Sequence, residues 1–431
     1  MPMSWLPSRC SASAVAIFTL AAGVLLAVEN PPPPDLGELQ TLYRARDFFL
    51  LGERLEEISG AAAESPEIRF LMAAVEQAFN QPNESNRTIG SLLEEEVGPS
   101  ARISELRQLQ MTNHFRLHRY KDALASAQAI LADPADQLDP ALLAEVRGTL
   151  PLYAALADVP PQEIEIKGMS RLTLDAIGRL PVEIEGTNRR FALDTGANLS
   201  VIMRSEAEEL GLTIRPTGVE VATSTTRKVL ADVAVAGQLR IGRVHYRNVV
   251  FLVFPDELLT FDGGKRIPGL VGFPVVEAMQ EVRFRRDGVI EIPHHPQTRR
   301  WRNLALDNLD PLVRVRYRKD DLVCRLDTGA GHTTFYEPFY ERYRERIESF
   351  GKHTTVKVGG VGGLQEMPAF RLRKIGLTLA GAGGTLRDVD VYTRPIRPPH
   401  ENYLYCNLGL DVLQSFRAYV INFRDMALVL E

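Results

Sequence analysis

Two aspartates at the ends of two similar strands are the residues of this 431-residue chain best suited to chemistry. The stretch FALDTGANLSVI contains Asp194, and the stretch CRLDTGAGHTTF contains Asp327. In each, alternating apolar residues predict a half-buried strand that a glycine then interrupts. A carboxylate at such a position is costly unless hydrogen bonds or a function compensate for it. Because the design occurs twice, we expect the two aspartates to act together.

Two carboxyl groups in contact can act as an acid and a base at once. Because like charges in contact cannot both ionise, the pair shares one proton. The ionised member deprotonates a water molecule, and the protonated member polarises a carbonyl oxygen. Hydrolysis by this route needs neither a metal nor a covalent nucleophile. The pair titrates as a unit, so the sequence does not say which aspartate holds the proton.

The elements around the two aspartates are also repeated. In each copy a hairpin leads to the aspartate, and a helical segment, further strands and a hydrophobic-glycine strand before a short helix follow. The separation of aspartate and glycine is 272 − 194 = 78 residues in one copy and 409 − 327 = 82 in the other. The residues concerned are Asp194, Thr195, Gly196, Ala197, Leu270, Val271 and Gly272 in the first copy, and Asp327, Thr328, Gly329, Ala330, Leu408 and Gly409 in the second.

This duplicated pattern resembles the retropepsin/pepsin clan of aspartic proteases, and the first lobe resembles the bacterial retropepsin-like proteins. The resemblance covers about residues 178–431. It implies that Asp194 and Asp327 are the catalytic pair and that Thr195 and Thr328 turn their hydroxyls inward to brace the opposite lobe. It also implies a covering hairpin, or flap. In the second lobe VKVGGVGGLQEM fits a flap with its tip at Gly359, Gly360, Val361, Gly362 and Gly363; in the first lobe the corresponding VEVATSTTRKVLADV has no glycine tip.

Three features depart from the pattern of that clan. Pepsin-like members often carry Ser or Thr where this chain has Ala197 and Ala330, and a hydroxyl there lowers the pKa of the ionised carboxyl. We therefore expect a pH optimum nearer neutral. Asn407 replaces a hydrophobic residue before Leu408-Gly409. Arg325, two residues before Asp327, either lines the cleft or pairs with Asp327. Together, these departures leave open the possibility that the second lobe is degenerate.

The cysteines allow two interpretations. Outside the N-terminal segment the chain contains Cys324 and Cys406, and the residues alone leave a disulfide and two buried free thiols equally open. The resemblance places their strands side by side beneath the active site, with both cysteines facing away from the cleft. It thus implies a Cys324–Cys406 disulfide.

The N-terminal part of the chain has a different pattern. The uncharged run Cys10–Val28 is typical of a signal peptide or a membrane anchor, and a proline-rich spacer follows. From about residue 36 to 158, apolar residues three and four apart predict helical hairpins, and the segment around Tyr120, Ala123 and Ala127 resembles tetratricopeptide repeats. The predicted domains are 1–28 (signal or anchor), 29–35 (spacer), 36–158 (helical), 163–293 (first lobe), 294–310 (linker) and 311–431 (second lobe).

Composition and motifs argue against other functions. Acidic residues outnumber basic ones in the helical part, and basic residues are in excess in the remainder. No nucleic-acid motif accompanies the basic residues, so we expect the protein not to bind nucleic acid. His294-His295 lacks further ligands for a metal site, and no Gly-x-Ser-x-Gly motif marks a serine hydrolase. We expect no cofactor and no metal.

The sequence thus predicts an N-terminal all-α hairpin array, similar to tetratricopeptide repeats, followed by an all-β bilobal aspartic protease domain. We expect an exported aspartic endopeptidase with a peptide or protein substrate, for which a monomer suffices because both aspartates lie in one chain. The N-terminal segment, if uncleaved, would be its membrane contact, and the helical arm is a candidate site for a protein partner. Three alternatives stay open: a catalytically weak peptide-binding scaffold, lobes that pair between chains, and aspartates that only cap structural turns.

Overall fold

The computed structural model describes residues 34–95, 101–135, 138–222, 228–261, 264–360, 363–396 and 402–431. Within these ranges no helix is long and apolar enough to cross a membrane. The apolar run Cys10–Val28, predicted to be a signal peptide or anchor, lies outside the described residues.

The first part of the described chain is helical, as its apolar periodicity predicts. Proline opens three of the helices, a position where its missing N–H would have no partner in any case. Ser65 and Asp139 accept hydrogen bonds from the first turns of two of these helices. The helices are α1 (Leu36–Arg44), α2 (Phe48–Glu56), α3 (Pro66–Ala78), α4 (Pro82–Glu95), α5 (Ala101–Arg116), α6 (Tyr120–Leu131) and α7 (Pro140–Leu156).

Each of the helices α3 to α6 packs against the helix that follows it in the chain. Tyr120, Ala123 and Ala127 are buried in α6, and the Tyr120 ring packs edge-on against Phe115 of α5. The small alanine side chains let the two helices approach closely. The predicted N-terminal helical region is therefore confirmed, whereas its likeness to tetratricopeptide repeats stays a prediction.

The remainder of the chain is rich in strands and forms two lobes. The first lobe comprises β1 (Glu163–Ile166), β2 (Ser170–Thr173), β3 (Arg179–Ile184), β4 (Thr187–Leu193), β5 (Ser200–Met203), α8 (Arg204–Glu209), β6 (Ile214–Ala222), β7 (Lys228–Ala236), β8 (Leu239–Ile241), β9 (Val244–Arg247), β10 (Val249–Phe254), β11 (Thr260–Phe261), β12 (Lys265–Arg266), β13 (Gly269–Val271), α9 (Phe273–Ala278), β14 (Glu281–Arg285) and β15 (Val289–Ile292).

The second lobe comprises β16 (Leu304–Asp307), β17 (Asp310–Tyr317), β18 (Asp320–Leu326), β19 (Thr334–Phe335), α10 (Glu337–Phe350), β20 (Lys352–Gly360), β21 (Gly363–Leu379), β22 (Ala382–Tyr392), β23 (Cys406–Leu408), α11 (Leu410–Leu413), β24 (Ala418–Asn422) and β25 (Ala427–Leu430). β16 lies inside the stretch 294–310 that was predicted to link the lobes, because Leu304, Ala305 and Leu306 are buried against β17.

The internal repeat of the sequence appears as a repeated strand order. One sheet contains the order β3-β4-β13-β5-β10-β7-β6, and the other contains β17-β18-β23-β19-β22-β21-β20. In the first, β13 runs parallel to β4 and antiparallel to β5; in the second, β23 runs parallel to β18 and antiparallel to β19. Each aspartate thus follows a strand that is held between its hairpin partner and a glycine strand.

A third sheet joins the two lobes. Its order is β2-β15-β14-β24-β25, and β14 of the first lobe pairs antiparallel with β24 of the second. At the end of this pair, the buried Asn422 side-chain amide donates a 2.7 Å hydrogen bond to Glu281. Phe273 and Phe423 pack edge to face beside it. The shared sheet fixes the lobes relative to each other, which any site at their junction requires.

The helical region packs against both lobes. Arg116 of α5, with 1% of its side chain exposed, donates to the Gln77 carbonyl at 2.7 Å and contacts Glu277 of α9 at 3.3 Å. On the second lobe, Arg314 of β17 pairs with Asp47 at 3.2 Å and lies over the Phe49 ring. In the Arg314–Asp47 pair the helical region supplies the acid and the second lobe the base, in agreement with the excess of acidic residues in the first and of basic residues in the lobes.

The buried pair Arg116–Glu277 yields a test of this packing. Arg116→Met leaves Glu277, whose side chain is only 17% exposed, without its cation, so we expect the free energy of unfolding in urea to fall by about 3 kcal/mol. Arg87→Met is the matched control, because Arg87 forms an exposed pair with Glu84. Its expected effect is within about 0.5 kcal/mol. Equal effects of the two substitutions would contradict the docking role of Arg116.

Candidate active site

The two aspartates are held by the same backbone contacts in each lobe. The Asp194 N–H donates to the Val271 carbonyl at 3.0 Å, and the Asp327 N–H donates to the Leu408 carbonyl at the same distance. The loops then turn back onto the short helices. Phe273 N–H donates to the Ala197 carbonyl and Leu410 N–H to the Ala330 carbonyl, both at 2.8 Å. The glycine strands therefore set where each carboxyl lies.

Two threonines join the loops across the lobe boundary. Thr195 N–H donates to the Thr328 hydroxyl at 3.0 Å, and Thr328 N–H donates to the Thr195 hydroxyl at 3.1 Å. The hydroxyls donate in turn to the carbonyls of the opposite strands, Thr195 to Leu326 and Thr328 to Leu193. Both threonines are buried. These four crossed hydrogen bonds hold two loops that lie 133 residues apart in the chain.

The loops approach so closely that each aspartate lies against the glycine of the other. A methyl group on Gly196 would lie 2.6 Å from Asp327 Oδ1, and one on Gly329 would overlap the Asp194 carboxyl. Real Cβ atoms do not approach neighbours this closely, so both positions need glycine. The structure thus brings together the two carboxyls that the sequence singles out.

The surroundings of the carboxyls differ between the lobes. Burial, followed by the nearby charge of Asp327, raises the pKa of Asp194 to about 7, while the Gly196 N–H and Arg325 act in the opposite direction. Gly196 N–H donates to Asp194 Oδ1 at 2.8 Å. Asp327 Oδ1 accepts from two N–H groups, of Gly329 at 2.9 Å and Ala330 at 3.0 Å.

The two departures of the second lobe lie beside the carboxyls. Asn407 donates from Nδ2 to Asp327 Oδ2 at 2.8 Å. Arg325 pairs with Asp310 at 2.6 Å and donates to the Gly196 carbonyl of the opposite loop. Its side chain is 12% exposed. Arg325 therefore ties the second lobe to the first.

Sequence reasoning missed a second pair of matching hydroxyls. Ser200 and Thr333 each stand six residues after an aspartate, and each accepts a hydrogen bond from the N–H of its glycine strand, Gly272 at 3.1 Å and Gly409 at 3.0 Å. The equal spacing, 200 − 194 = 6 and 333 − 327 = 6, was a signal available in the sequence. Sequence reasoning also missed Asp310, because its contact with Arg325 depends on the β17–β18 hairpin.

The predicted flap of the second lobe is a long hairpin. β20 pairs with β21 up to Gly360 and Gly363, and Gly363 has a φ of 105°. Gly359 lies in β20, whereas Val361 and Gly362 lie outside the described residues. In the first lobe β6 and β7 form the hairpin at the same place in the strand order. Leu230 of β7 and Leu364 of β21 are exposed apolar side chains on the two hairpins.

Cys324 and Cys406 form a disulfide in the structure, with Cα atoms 4.8 Å apart. They are direct partners in the parallel pair β18–β23, and both are fully buried. The bond therefore joins the strand before Asp327 to the strand before Gly409. Within the described ranges, no group of three or more His, Cys, Asp or Glu side chains is arranged to hold a metal ion.

The close contact at Gly329 can be tested within one loop. Gly329→Ala forces the two loops apart, and we expect the free energy of unfolding to fall by about 1–3 kcal/mol. Gly331→Ala is the matched control, since a methyl group there meets nothing within 4 Å. That variant should stay within about 0.5 kcal/mol of the wild type. Thermal and urea unfolding measure both, and a tolerated Gly329→Ala would refute the close approach.

Comparisons with known proteins agree with the sequence pattern in the first lobe. Residues 180–275 match the family model described as aspartyl protease, a stretch from β3 to α9 that contains Asp194 and Gly272. No curated protein is similar enough to the chain to count as a match.

Solved structures show weaker similarity. A retropepsin-like aspartic protease from Rickettsia conorii is 19% identical with a TM-score of 0.21, over 30% of this chain and 91% of that chain. The EIAV protease complexed with the inhibitor HBY-793 is 23% identical with a TM-score of 0.18, over 25% of this chain and 86% of that chain. TM-scores this low carry no weight for function. The family match over residues 180–275 confirms the predicted resemblance to aspartic proteases in the first lobe.

Proposed function

We propose that the chain is an aspartic endopeptidase in which Asp194 and Asp327 share one proton and activate a water molecule against a peptide bond. The observation that carries this proposal is the reciprocal contact of the two carboxyls, each lying on the glycine of the opposite loop. A carboxyl with a pKa raised to about 7 beside a second carboxyl is what proton sharing requires. Since both loops belong to one chain, a monomer contains the whole pair.

The two hairpins are proposed as flaps that close over a bound peptide. Exclusion of water strengthens every electrostatic interaction in a site, which favours the charge changes of hydrolysis. The exposed Leu230 and Leu364 would give the flaps apolar contacts with substrate side chains. A peptide or protein substrate follows from the proposed activity.

Export of the protein and a partner on the helical arm remain proposals. A disulfide is typical of compartments outside the cytosol, and Cys324–Cys406 supports export to that extent. The alternative function, a peptide-binding scaffold that keeps the cleft but turns over slowly or not at all, would use the same residues.

Replacement of either aspartate distinguishes these functions. The chain from Pro31 onward would be incubated with an unbiased peptide library between pH 3 and 8, with and without a statine-type transition-state mimic. We expect Asp194→Asn and Asp327→Asn each to lower cleavage by about 10³-fold or more, because neither neutral amide can take part in proton sharing. Asp287→Asn is the control, since Asp287 is an exposed partner of Arg285.

Each outcome of that experiment has a clear meaning. Cleavage by the wild type and by Asp287→Asn, lost in both dyad variants and blocked by the mimic, supports the endopeptidase. Binding of the mimic without cleavage favours the scaffold. Absence of both cleavage and binding contradicts the proposed pairing of the lobes.

The pH optimum provides a separate prediction. Alanine at positions 197 and 330 supplies no hydroxyl to the carboxyls, and the raised pKa of Asp194 keeps its proton in place up to about pH 7. Activity should therefore persist toward neutral pH and fall as the pH rises past about 7, when that proton is lost. The initial cleavage rate of one library-derived peptide across pH 3 to 8 measures this. An optimum well below pH 4 would show the expectation to be wrong.

A further inference from the structure

One pair of neighbouring positions breaks the symmetry of the two lobes. In the first lobe Ala192 and Leu270 are partners across β4 and β13. In the second lobe the same positions, two residues before the aspartate and two before the glycine, are Arg325 and Asn407, partners across β18 and β23. An apolar pair is thus replaced by a polar pair directly beside Asp327.

The replacement gives the two carboxyls unequal hydrogen bonding. Within the described part of the chain, three N–H donors point at Asp327: the backbone groups of Gly329 and Ala330 and the side-chain amide of Asn407. Asp194 accepts from the N–H of Gly196. Hydrogen bonds donated to a carboxylate favour its ionised form. The geometry therefore favours a negative charge on Asp327.

Asn407 makes this hydrogen bond at a cost. Its Oδ1 is buried and has no hydrogen-bond partner among the described residues. A buried polar atom without a partner destabilises a fold, and a leucine of the kind found at position 270 would avoid that penalty. The asparagine is therefore better explained by its effect on Asp327 than by a contribution to stability.

Besides each other, the two aspartates have the charge of Arg325 nearby. Arg325 is paired with Asp310, which offsets much of its charge. The charge of Arg325 lowers the pKa of Asp194, but burial and the charge of Asp327 raise this pKa by more. Asp194 also makes a hydrogen bond with Asp327 that favours the protonated form of Asp194. Together, these contacts favour the single proton on Asp194.

We propose that Asn407 is a positioning residue that keeps the negative charge of the dyad on Asp327 and the proton on Asp194. This inference rests on the proposed endopeptidase and assigns its acid and its base. Asp327 takes a proton from water as the water oxygen bonds to the peptide carbon. Asp194 gives its proton to the carbonyl oxygen as the C=O π bond opens. When the C–N bond then breaks, Asp327 protonates the leaving amine, and Asp194 regains a proton from a hydroxyl of the intermediate.

The test compares two matched substitutions with opposite expected effects on the pH profile of kcat/KM. Asn407→Leu removes a donor from ionised Asp327, so the acidic limb should move up by about one pH unit while the basic limb stays in place. Leu270→Asn offers a donor to Asp194 at the equivalent position, so the basic limb should move down. The thermal midpoint of Asn407→Leu should equal or exceed that of the wild type, because the orphaned Oδ1 is removed.

A second measurement makes the test independent of turnover. Carbon-13 NMR of protein labelled at the aspartate carboxyls follows the dyad directly, with Asp194→Asn and Asp327→Asn to assign its resonances. Asn407→Leu should shift the titration of the carboxyl that ionises first, and that carboxyl should be Asp327. If the wild type cleaves no peptide, the proposed function fails, but the NMR titration still decides the role of Asn407. Unmoved titrations, or activity lowered equally at all pH values, would overturn the inference.

Discussion

The contact between two carboxyl groups at the lobe boundary is the constraint on which the rest of the structure depends. Bringing two aspartates together without a metal is unfavourable, because each carboxyl loses water and each charge repels the other. The chain offsets this cost locally. Backbone N–H groups of Gly196, Gly329 and Ala330 point at the carboxyls. The absence of side chains at the two glycines leaves room for the opposite aspartate.

Local hydrogen bonds would not suffice if the lobes could move apart. The crossed bonds of Thr195 and Thr328 fix the loops, and the sheet β2-β15-β14-β24-β25 fixes the lobes beneath them. The helical region adds contacts to both lobes from outside through Arg116 and Asp47. The helix α9, which begins directly after Gly272, contains Glu277, the partner of Arg116. The helical region is thereby linked to the element that immediately follows the first glycine strand.

Much of this site can be predicted from the sequence, because the motifs that form it are local and occur twice. The Asp-Thr-Gly-Ala tetrads, the glycine strands and the hairpins are each encoded within a few residues, and duplication lets one copy support the other. Contacts that depend on strand register are not encoded in this way. In the sequence, Asn407 is recognisable only as a polar residue where the clan has a hydrophobic one. Its role could not be predicted, because its hydrogen bond to Asp327 spans 80 residues. Arg116 and Glu277 are 161 residues apart, and neither stands in a motif.

The shared sheet has a consequence for the order in which the molecule can fold. β14 of the first lobe pairs with β24, which lies more than 130 residues later in the chain, and β24 pairs with β25. Contacts between segments so distant in sequence form slowly, because closing long loops costs chain entropy before any contact repays it. During synthesis, the first lobe can emerge complete while the strands that fix its partner are still being made. The lobes are therefore fixed to each other only after β24 has been made, so the first lobe can fold before the dyad is assembled.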